Sequence, residues 1–384
     1  MNDDIRLGRI AGFPLGMNWS VLVVLWLLTW SLAEHVLPDA ASGHGSGTYW
    51  IAGLAGALLF FGSLLAHELA HAVVARRAGI EVKGLTLWLF GGVASLGSEP
   101  NTPRDDLRIA AAGPATSIGL AVGLGLVASF LNGLDATHIV VAVAGWLAGI
   151  NLMLGVFNLV PGAPLDGGRI LRAVLWGRHR DRDRATITAA HAGRVVGLLL
   201  IGLGLFQFLI NAGLGGLWTV FIGWFILTAA RAEETGVETR RTLVDVRVAD
   251  VMTPHPQVAP GWITVDDFIE HYLLGSRHSA YPVENHDHHT VGLVTLAQLR
   301  AIPRHERAST TVADAAMSLD DVPVATPDSP LTALLERLTP ETGGRALVFQ
   351  ASQLVGIVTP ADVARAIETR TLTDRHRSSA TPVA

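Results

Sequence analysis

The sequence contains no cysteine, and only 16% of its 384 residues are charged. The absence of cysteine excludes disulfide bonds, thiolate metal ligands and a cysteine nucleophile, so any metal ion must be held by His, Asp or Glu. A soluble protein of this length carries charge on about a quarter of its residues. The net charge of −5 gives no reason to expect a nucleic-acid partner, since such partners require a concentrated basic surface.

The shortage of charge is uneven along the chain. Residues 1–230 contain long apolar stretches, whereas residues 231–384 have the composition of a soluble protein. A helix needs about 20 mostly apolar residues to cross the hydrocarbon core of a lipid bilayer. Six segments meet this requirement, namely residues 14–35, 50–77, 107–131, 138–160, 188–211 and 214–231. We therefore predict six transmembrane helices within residues 1–231.

The distribution of Lys and Arg predicts how these spans are oriented. Basic residues precede the first span and surround the connection after the second, and they are densest in the connection at residues 169–184. The connections at residues 36–49, 132–137 and 212–216 contain no Lys or Arg. Because positive charge is retained on the cytoplasmic side, we expect a multi-pass protein of the cell membrane with a cytoplasmic N-terminus and a cytoplasmic C-terminal region.

The second span contains the motif H-E-x-x-H, formed by His67, Glu68 and His71. Residues i and i+4 share one face of a helix, so both imidazoles can bind one metal ion and Glu68 can act as a general base. Ionisable residues are costly inside an apolar span and are functional candidates there, which argues against a chance match. Imidazole suits zinc, which lowers the pKa of a bound water to about 7.

A catalytic zinc ion usually takes three protein ligands, so a third is expected elsewhere. Asp166 follows the fourth span, where Pro161 and Pro164 should break the helix and place the carboxylate on irregular backbone near the cytoplasmic side. From this segment alone, a turn leading into a basic loop is an equal alternative. The rival third ligands, none of which combines inner-side placement with a helix break, are Glu99, Asp105, Asp106 and Asp135.

The motif at residues 67–71 and the segment N-L-V-P-G-A-P-L-D-G-G-R at residues 158–169, taken together, resemble the site-2 protease family of intramembrane metalloproteases. The six-span layout, with the C-terminal region described below, resembles the branch that contains the sporulation protease that releases a membrane-tethered sigma-factor precursor, and similar archaeal enzymes. The resemblance implies one zinc ion per chain, bound by His67, His71 and Asp166. It also implies that Glu68 activates water and that Asn158 helps to hold the substrate.

Two short apolar strands around Gly91 and Gly92 predict a membrane-associated β-hairpin between the second and third spans. A peptide bond inside a helix is shielded, and an exposed strand edge could capture the extended substrate by β-addition. Gly91 and Gly92 are therefore candidate substrate-binding residues. A hairpin that merely plugs the domain is equally compatible with the sequence. The small residues at 111–117 in the third span favour close helix packing.

The soluble region contains an internal repeat. Residues 248–252 are echoed at 312–317, and residues 292–295 are echoed at 356–359. The repeat resembles a tandem CBS pair of α/β fold, a module that commonly binds adenine nucleotides, and Thr359 and Asp362 match its ribose-contacting residues. Gln298 replaces the aspartate in the first repeat. A dimerising or structural pair without ligand is an equal alternative, so a homodimer through this pair is also considered.

These observations predict a membrane all-α domain with a small β-hairpin, followed by a cytoplasmic α/β CBS pair. The expected boundaries are a protease domain at 1–231, a linker at 232–245, CBS repeats at 246–302 and 310–370, and a disordered tail at 371–384. The expected function is regulated intramembrane proteolysis of a membrane-anchored protein, with nucleotide control at the CBS pair. An anti-sigma factor, a sigma-factor precursor or a signal-peptide remnant is a compatible substrate.

Two other classes of function share these features. A CBS-gated transporter would spread polar residues along a pathway or repeat one half of the membrane domain in the other, and the sequence shows neither. An inactive membrane receptor would keep the fold without the chemistry. The intact residues His67, Glu68, His71 and Asp166 argue against that reading.

Overall fold

The computed structural model describes residues 5–88, 91–134, 136–211, 214–339 and 342–379. The chain forms two compact units, Met1–Val237 and Glu238–Ala384, and each is treated by itself.

The first unit is dominated by long helices. They are α1 (Ser20–Ser31), α2 (Leu37–Ala40), α3 (Ser46–Arg77), α4 (Pro103–Gly133), α5 (His138–Asn158), α6 (Asp166–His179), α7 (Arg182–Asn211) and α8 (Leu214–Leu243), the last of which runs on into the second unit. A π-helical turn, Leu32–Val36, joins α1 to α2. Among the described residues, six helical segments are long and apolar enough to cross a membrane: Ser20–Ala40, Ser46–Arg77, Pro103–Gly133, His138–Asn158, Arg182–Ile210 and Gly215–Leu243. The predicted set of six spans is confirmed.

A four-stranded sheet accompanies these helices. Its strands are β1 (Ile5–Ile10), β2 (Phe13–Met17), β3 (Val82–Trp88) and β4 (Gly91–Leu96), in that order across the sheet. The antiparallel pair β3–β4 is the predicted hairpin, and β2 pairs with β3 in parallel. The first predicted span began too early, because residues 14–17 belong to β2. Apolar composition alone does not distinguish a buried strand from the start of a span.

Helix α4 begins at a sequence-encoded cap. The Thr102 hydroxyl accepts a hydrogen bond from the Asp105 backbone N–H at 3.1 Å, and Pro103 occupies the first turn, where its missing N–H has no cost. The helix packs against α3, α5 and α6. This position lets one face of α4 meet the histidines of α3.

The connection after α5 differs from the prediction. It was expected to be a basic loop with Asp166 on irregular backbone, but Asp166 is the first residue of helix α6. Pro161 and Pro164 end α5 as expected, and the irregular stretch is confined to the residues between the two helices. A carboxylate in the first turn of a helix interacts favourably with the N–H groups exposed there, which favours this start.

The second unit contains two mixed α/β halves. Its strands are β5 (Thr253–Pro254), β6 (Ala259–Pro260), β7 (Ala280–Glu284), β8 (Thr290–Thr295), β9 (Met317–Ser318), β10 (Val324–Ala325), β11 (Ala346–Gln350) and β12 (Gln353–Val358). Its helices are α9 (Val265–Phe268), α10 (Leu296–Ala301), α11 (Val312–Ala315), α12 (Leu331–Leu335) and α13 (Pro360–Ser379). Helix α13 reaches into the segment predicted as a disordered tail, and residues 380–384 lie outside the described residues.

The two halves exchange their leading strands. One sheet has the order β6-β7-β8-β9 and the other has the order β10-β11-β12-β5. Strand β5 heads the first repeat but pairs with β12 of the second, whereas β9 heads the second repeat and pairs with β8 of the first. Each sheet therefore receives an edge strand from the opposite repeat, and the predicted α/β character of this region is confirmed.

Candidate active site

Three side chains converge inside the first unit. They are His67, His71 and Asp166. The Nε2 atom of His67 is 3.1 Å from Oδ2 of Asp166, and that of His71 is 3.2 Å from the same oxygen. The two nitrogens are 3.2 Å apart. Among the described residues, this is the only group of at least three His, Asp or Glu side chains placed to hold a metal ion. Of the rival ligands, Asp135 lies outside those residues.

The spacing of these three atoms fits a tetrahedral zinc site. Bonds of about 2.0–2.1 Å at tetrahedral angles place neighbouring ligand atoms about 3.3 Å apart, close to the distances found here. Two imidazoles and one carboxylate are also a donor set that zinc accepts, and three protein ligands leave a position open for water.

Helix α4 fixes the orientation of both imidazoles through their Nδ1 atoms. The Nδ1–H of His71 donates to the backbone carbonyl of Ile109 at 2.6 Å, and Nδ1 of His67 is 2.9 Å from Oγ of Ser117. Because a carbonyl can only accept, Nδ1 of His71 carries a proton, and Nε2 is the nitrogen left to bind a metal ion. Outer-shell bonds of this kind hold a metal-ligating histidine in the right tautomer.

Gly113 lies between these two supports on the same face of α4. A side chain there would overlap Nε2 of both His67 and His71. The small-residue segment at 111–117, predicted to serve helix packing, therefore also makes room for the two imidazoles.

Glu68 faces a cavity of about 330 Å³ beside the three converging side chains. The cavity is also lined by Asn158 from the end of α5 and by Gly91 and Gly92 from β4. A side chain at Gly92 would overlap Cγ of Glu68, so this glycine permits the strand to approach the glutamate. The structure brings together every residue predicted for catalysis, metal binding and substrate binding in the membrane domain.

Asp166 is suited to remain ionised. Burial opposes the charged form, but the neighbouring imidazoles of His67 and His71 outweigh it and hold the pKa of Asp166 below its usual range. The carboxylate is therefore available as an anionic ligand at neutral pH.

The remaining rival ligands are engaged elsewhere. Glu99 pairs with Arg182 at 2.6 Å, and Asp105 contacts the hydroxyl of its capping residue. Asp106 is wholly buried and is bound by Arg172 from α6, an interaction that the sequence did not predict. The signal that could have indicated it is not local: an acidic residue at the start of one span and a basic stretch after another.

Comparisons with known proteins identify the family of this chain. The pattern of peptidase family M50 matches residues 55–138 and 133–201, a region that includes both motifs. The putative zinc metalloprotease Rip3 of Mycobacterium tuberculosis is 57% identical over 96% of this chain and 94% of its own length. This chain belongs to peptidase family M50. It is a zinc metalloprotease of the site-2 protease type, and the predicted family and enzyme class are confirmed.

Further relatives of this M50 chain span similar lengths. The putative zinc metalloprotease sll0528 of Synechocystis is 32% identical over 96% of this chain and 97% of its own. A solved structure, the site-2 protease from Methanocaldococcus jannaschii, is 28% identical with a TM-score of 0.41, and covers 60% of this chain and 94% of its own. The CBS domain pattern matches residues 310–369 of the M50 chain.

The predicted nucleotide residues of the M50 chain lie together in the second unit. Thr359 and Asp362 line a cavity of about 300 Å³ that also contains Arg277 and Arg365. The Asp362 carboxylate is buried, and it accepts hydrogen bonds from the Thr359 hydroxyl at 2.6 Å and from the Thr253 hydroxyl at 3.1 Å.

The first repeat keeps the local geometry of this site but not its charge. The Thr295 hydroxyl donates to Oε1 of Gln298 at 2.9 Å, as the Thr359 hydroxyl donates to Asp362 in the second repeat. The neutral amide of Gln298 therefore replaces the carboxylate, and the predicted asymmetry between the repeats is retained.

Proposed function

We propose that this protein cleaves a membrane-anchored protein within or beside the bilayer, with His67, His71 and Asp166 as ligands of one zinc ion and Glu68 as general base. The observation that carries the proposal is the convergence of two imidazole nitrogens and one carboxylate oxygen within 3.1–3.2 Å among apolar spans. Burying these groups is costly without a function that needs them.

The chemistry divides between the metal and the chain. When bound, zinc supplies a water of lowered pKa and polarises the carbonyl of the peptide bond. Glu68 accepts the proton of the attacking water and delivers it to the amine nitrogen as the peptide bond breaks. The side chain of Asn158 and the backbone at Gly91 and Gly92 hold the substrate as an extended strand along β4, because only an unfolded segment exposes its peptide bonds.

The site opens toward the cytoplasmic half of the membrane in this proposal. The basic connections, including the helix α6 that carries Asp166, are cytoplasmic by the positive-inside rule, and so are the N-terminus and the CBS region. Substrates are then cut in the inner half of their membrane segments. Membrane-anchored sigma-factor precursors, anti-sigma factors and signal-peptide remnants are compatible substrates.

Replacing one residue at a time tests the assignment of roles. Glu68→Gln should abolish cleavage while keeping one zinc ion per chain, because the base is not a ligand. Asp166→Ala should lose both zinc and activity, because it removes a ligand. Zinc is measured by atomic absorption on purified protein, and cleavage is measured on a membrane-anchored reporter. Full cleavage by Glu68→Gln would contradict the mechanism.

We also propose that the CBS region binds an adenine nucleotide through Thr359 and Asp362 and alters cleavage. The support is the cavity lined by Thr359 and Asp362, where a buried carboxylate lies beside the side chains of Arg277 from the first repeat and Arg365 from the second, which are able to meet phosphate. A ligand changes activity only if its affinity differs between two states of the protein. A homodimer through the CBS pair stays an alternative role for this region.

Calorimetric titration of ATP, ADP and AMP into the full chain tests this second proposal. We expect at least one nucleotide to release or absorb heat, and Asp362→Ala to weaken its binding. Asp328→Ala is a matched control, since Asp328 is an exposed carboxylate of the same unit. If none of the three nucleotides releases or absorbs heat, the proposed nucleotide binding is refuted. If Asp362→Ala binds nucleotide as well as wild type does, the nucleotide binds at another site.

A further inference from the structure

A buried ion pair joins α4 to α6 below the zinc site. Asp106 has no exposed surface, and its two carboxylate oxygens accept hydrogen bonds from Nε and Nη2 of Arg172 at 2.9 and 2.8 Å. The Arg172 side chain is 12% exposed, so both partners are largely withdrawn from water. This two-point contact fixes direction as well as distance between the helices.

One face of α4 carries the residues that contact the two histidine ligands. Asp106, Ile109, Gly113 and Ser117 follow one another at intervals of three or four residues, which places them along one stripe of the helix. Ile109 and Ser117 contact the histidines, and Gly113 makes room for them. Asp106, on the same stripe, contacts Arg172 of α6, the helix that carries the third ligand, Asp166.

Helix α6 is the other half of this arrangement. Asp166 begins the helix, and Arg172 lies six residues later, so a rotation or slide of α6 would move the carboxylate away from the histidines. Because Asp166 and the histidines reside on different helices, their spacing depends on what holds those helices together. The fork between Arg172 and Asp106 supplies that constraint, and Nη2 of Arg169 on the same helix lies 3.5 Å from Oδ1 of Asp106.

A contribution to overall stability does not explain such a pair. Withdrawing two charges from water costs several kcal/mol per ion in general, and apolar replacements of buried pairs are often neutral or stabilising. The geometry therefore points to a role in placement.

We propose that Arg172 and Asp106 are positioning residues that hold α6 so that Asp166 stays in the zinc ligand set. This inference rests on the proposed function, since it takes His67, His71 and Asp166 as the ligands. Glu233 on α8 is a weaker partner, with Oε1 3.7 Å from Nη1 of Arg172, and it does not replace the fork.

Zinc retention by the full-length protein in detergent tests the proposal without a substrate. The protein is loaded with zinc and exposed to graded concentrations of a chelator, and bound zinc is measured at each step. We expect Arg172→Gln to lose zinc at about tenfold lower chelator strength than wild type, the low end of the range for outer-shell changes. Arg172→Lys, which keeps the charge but lacks the fork, should lie between the two.

Two further variants separate positioning from folding. The double variant Asp106→Leu with Arg172→Met removes both charges, so neither is left buried alone, and we expect it to fold and still lose zinc early. Arg194→Gln is the matched control, since Arg194 pairs with Glu234 at 3.0 Å between α7 and α8, and its zinc curve should follow wild type. Thermal unfolding of each metal-free variant reports folding independently of zinc.

The outcomes are distinct. Wild-type retention of zinc by Arg172→Gln would overturn the positioning role, and so would wild-type retention by the double variant. A wild-type protein that holds no zinc would refute the proposed function itself. Loss of zinc by Arg172→Gln and the double variant, with wild-type behaviour of Arg194→Gln and unchanged unfolding of the metal-free forms, is the expected result.

Discussion

Adding one methyl group to α4 should weaken the zinc site. In Gly113→Ala, the new methyl overlaps Nε2 of both His67 and His71. The imidazoles cannot retreat freely, because Ser117 and the carbonyl of Ile109 hold their other nitrogens. One ring must break its hydrogen bond, or α3 and α4 must move apart.

The size of this effect follows from the two penalties involved. Overpacking a close-fitting interior costs typically about 1–3 kcal/mol, and losing one hydrogen bond costs about 1 kcal/mol. A total of about 2–4 kcal/mol corresponds to zinc affinity about 30- to 700-fold weaker, at about 1.4 kcal/mol for each factor of ten. We expect activity at limiting zinc to fall in proportion.

Competition with a chelator measures this change directly. Gly119→Ala is the matched control: it makes the same substitution in the same helix, and its methyl would have no atom within 4 Å. Its zinc affinity should equal that of wild type. If Gly113→Ala and Gly119→Ala bind zinc equally well, the close fit between α4 and the two histidines does not limit the site, and the reasoning is refuted.

Three other predictions concern catalysis, topology and stability. Gly92→Ala should lower kcat while zinc content stays at wild-type level, because its methyl overlaps Cγ of Glu68; equal kcat would contradict this placement. Reporter fusions within residues 177–184 should show a cytoplasmic location and fusions within residues 43–47 the opposite side, and reversed signals would overturn the orientation. Phe268→Ala should destabilise the second unit by about 3–5 kcal/mol in denaturant unfolding, since Phe268 is fully buried against other rings; a loss below about 1 kcal/mol would contradict it.

The catalytic residues were predictable because their signals are local. The spacing of His67 and His71 places two imidazoles on one helical face, and the apolar surroundings make their presence informative. For Asp166, the prolines that end the preceding span left a turn as an equal alternative, and the resemblance of residues 158–169 to the site-2 protease family identified it as the third ligand. The histidine pair needed only the helix period and the length of a span, which the sequence states directly.

The parts that escaped prediction depend on contacts between distant segments. Strand β2 is as apolar as the start of a span, and only its pairing with β3, far along the chain, makes it a strand. The start of α6 at Asp166 was hidden by the flanking prolines and glycines. The ion pair between Asp106 and Arg172 forms only when α4 and α6 pack together, so no local sequence pattern predicts it.

The exchange of leading strands makes the two repeats of the second unit mutually dependent for folding. Strand β5 must find β12 about a hundred residues later, so the second sheet is complete only after nearly the whole region has emerged. Pairing two strands so far apart in the sequence costs loop-closure entropy before any stabilising contact forms, and this slows folding. Deleting either repeat would leave the other with an unpaired sheet edge, a surface prone to aggregation. The two repeats are therefore expected to fold and unfold together as one cooperative unit.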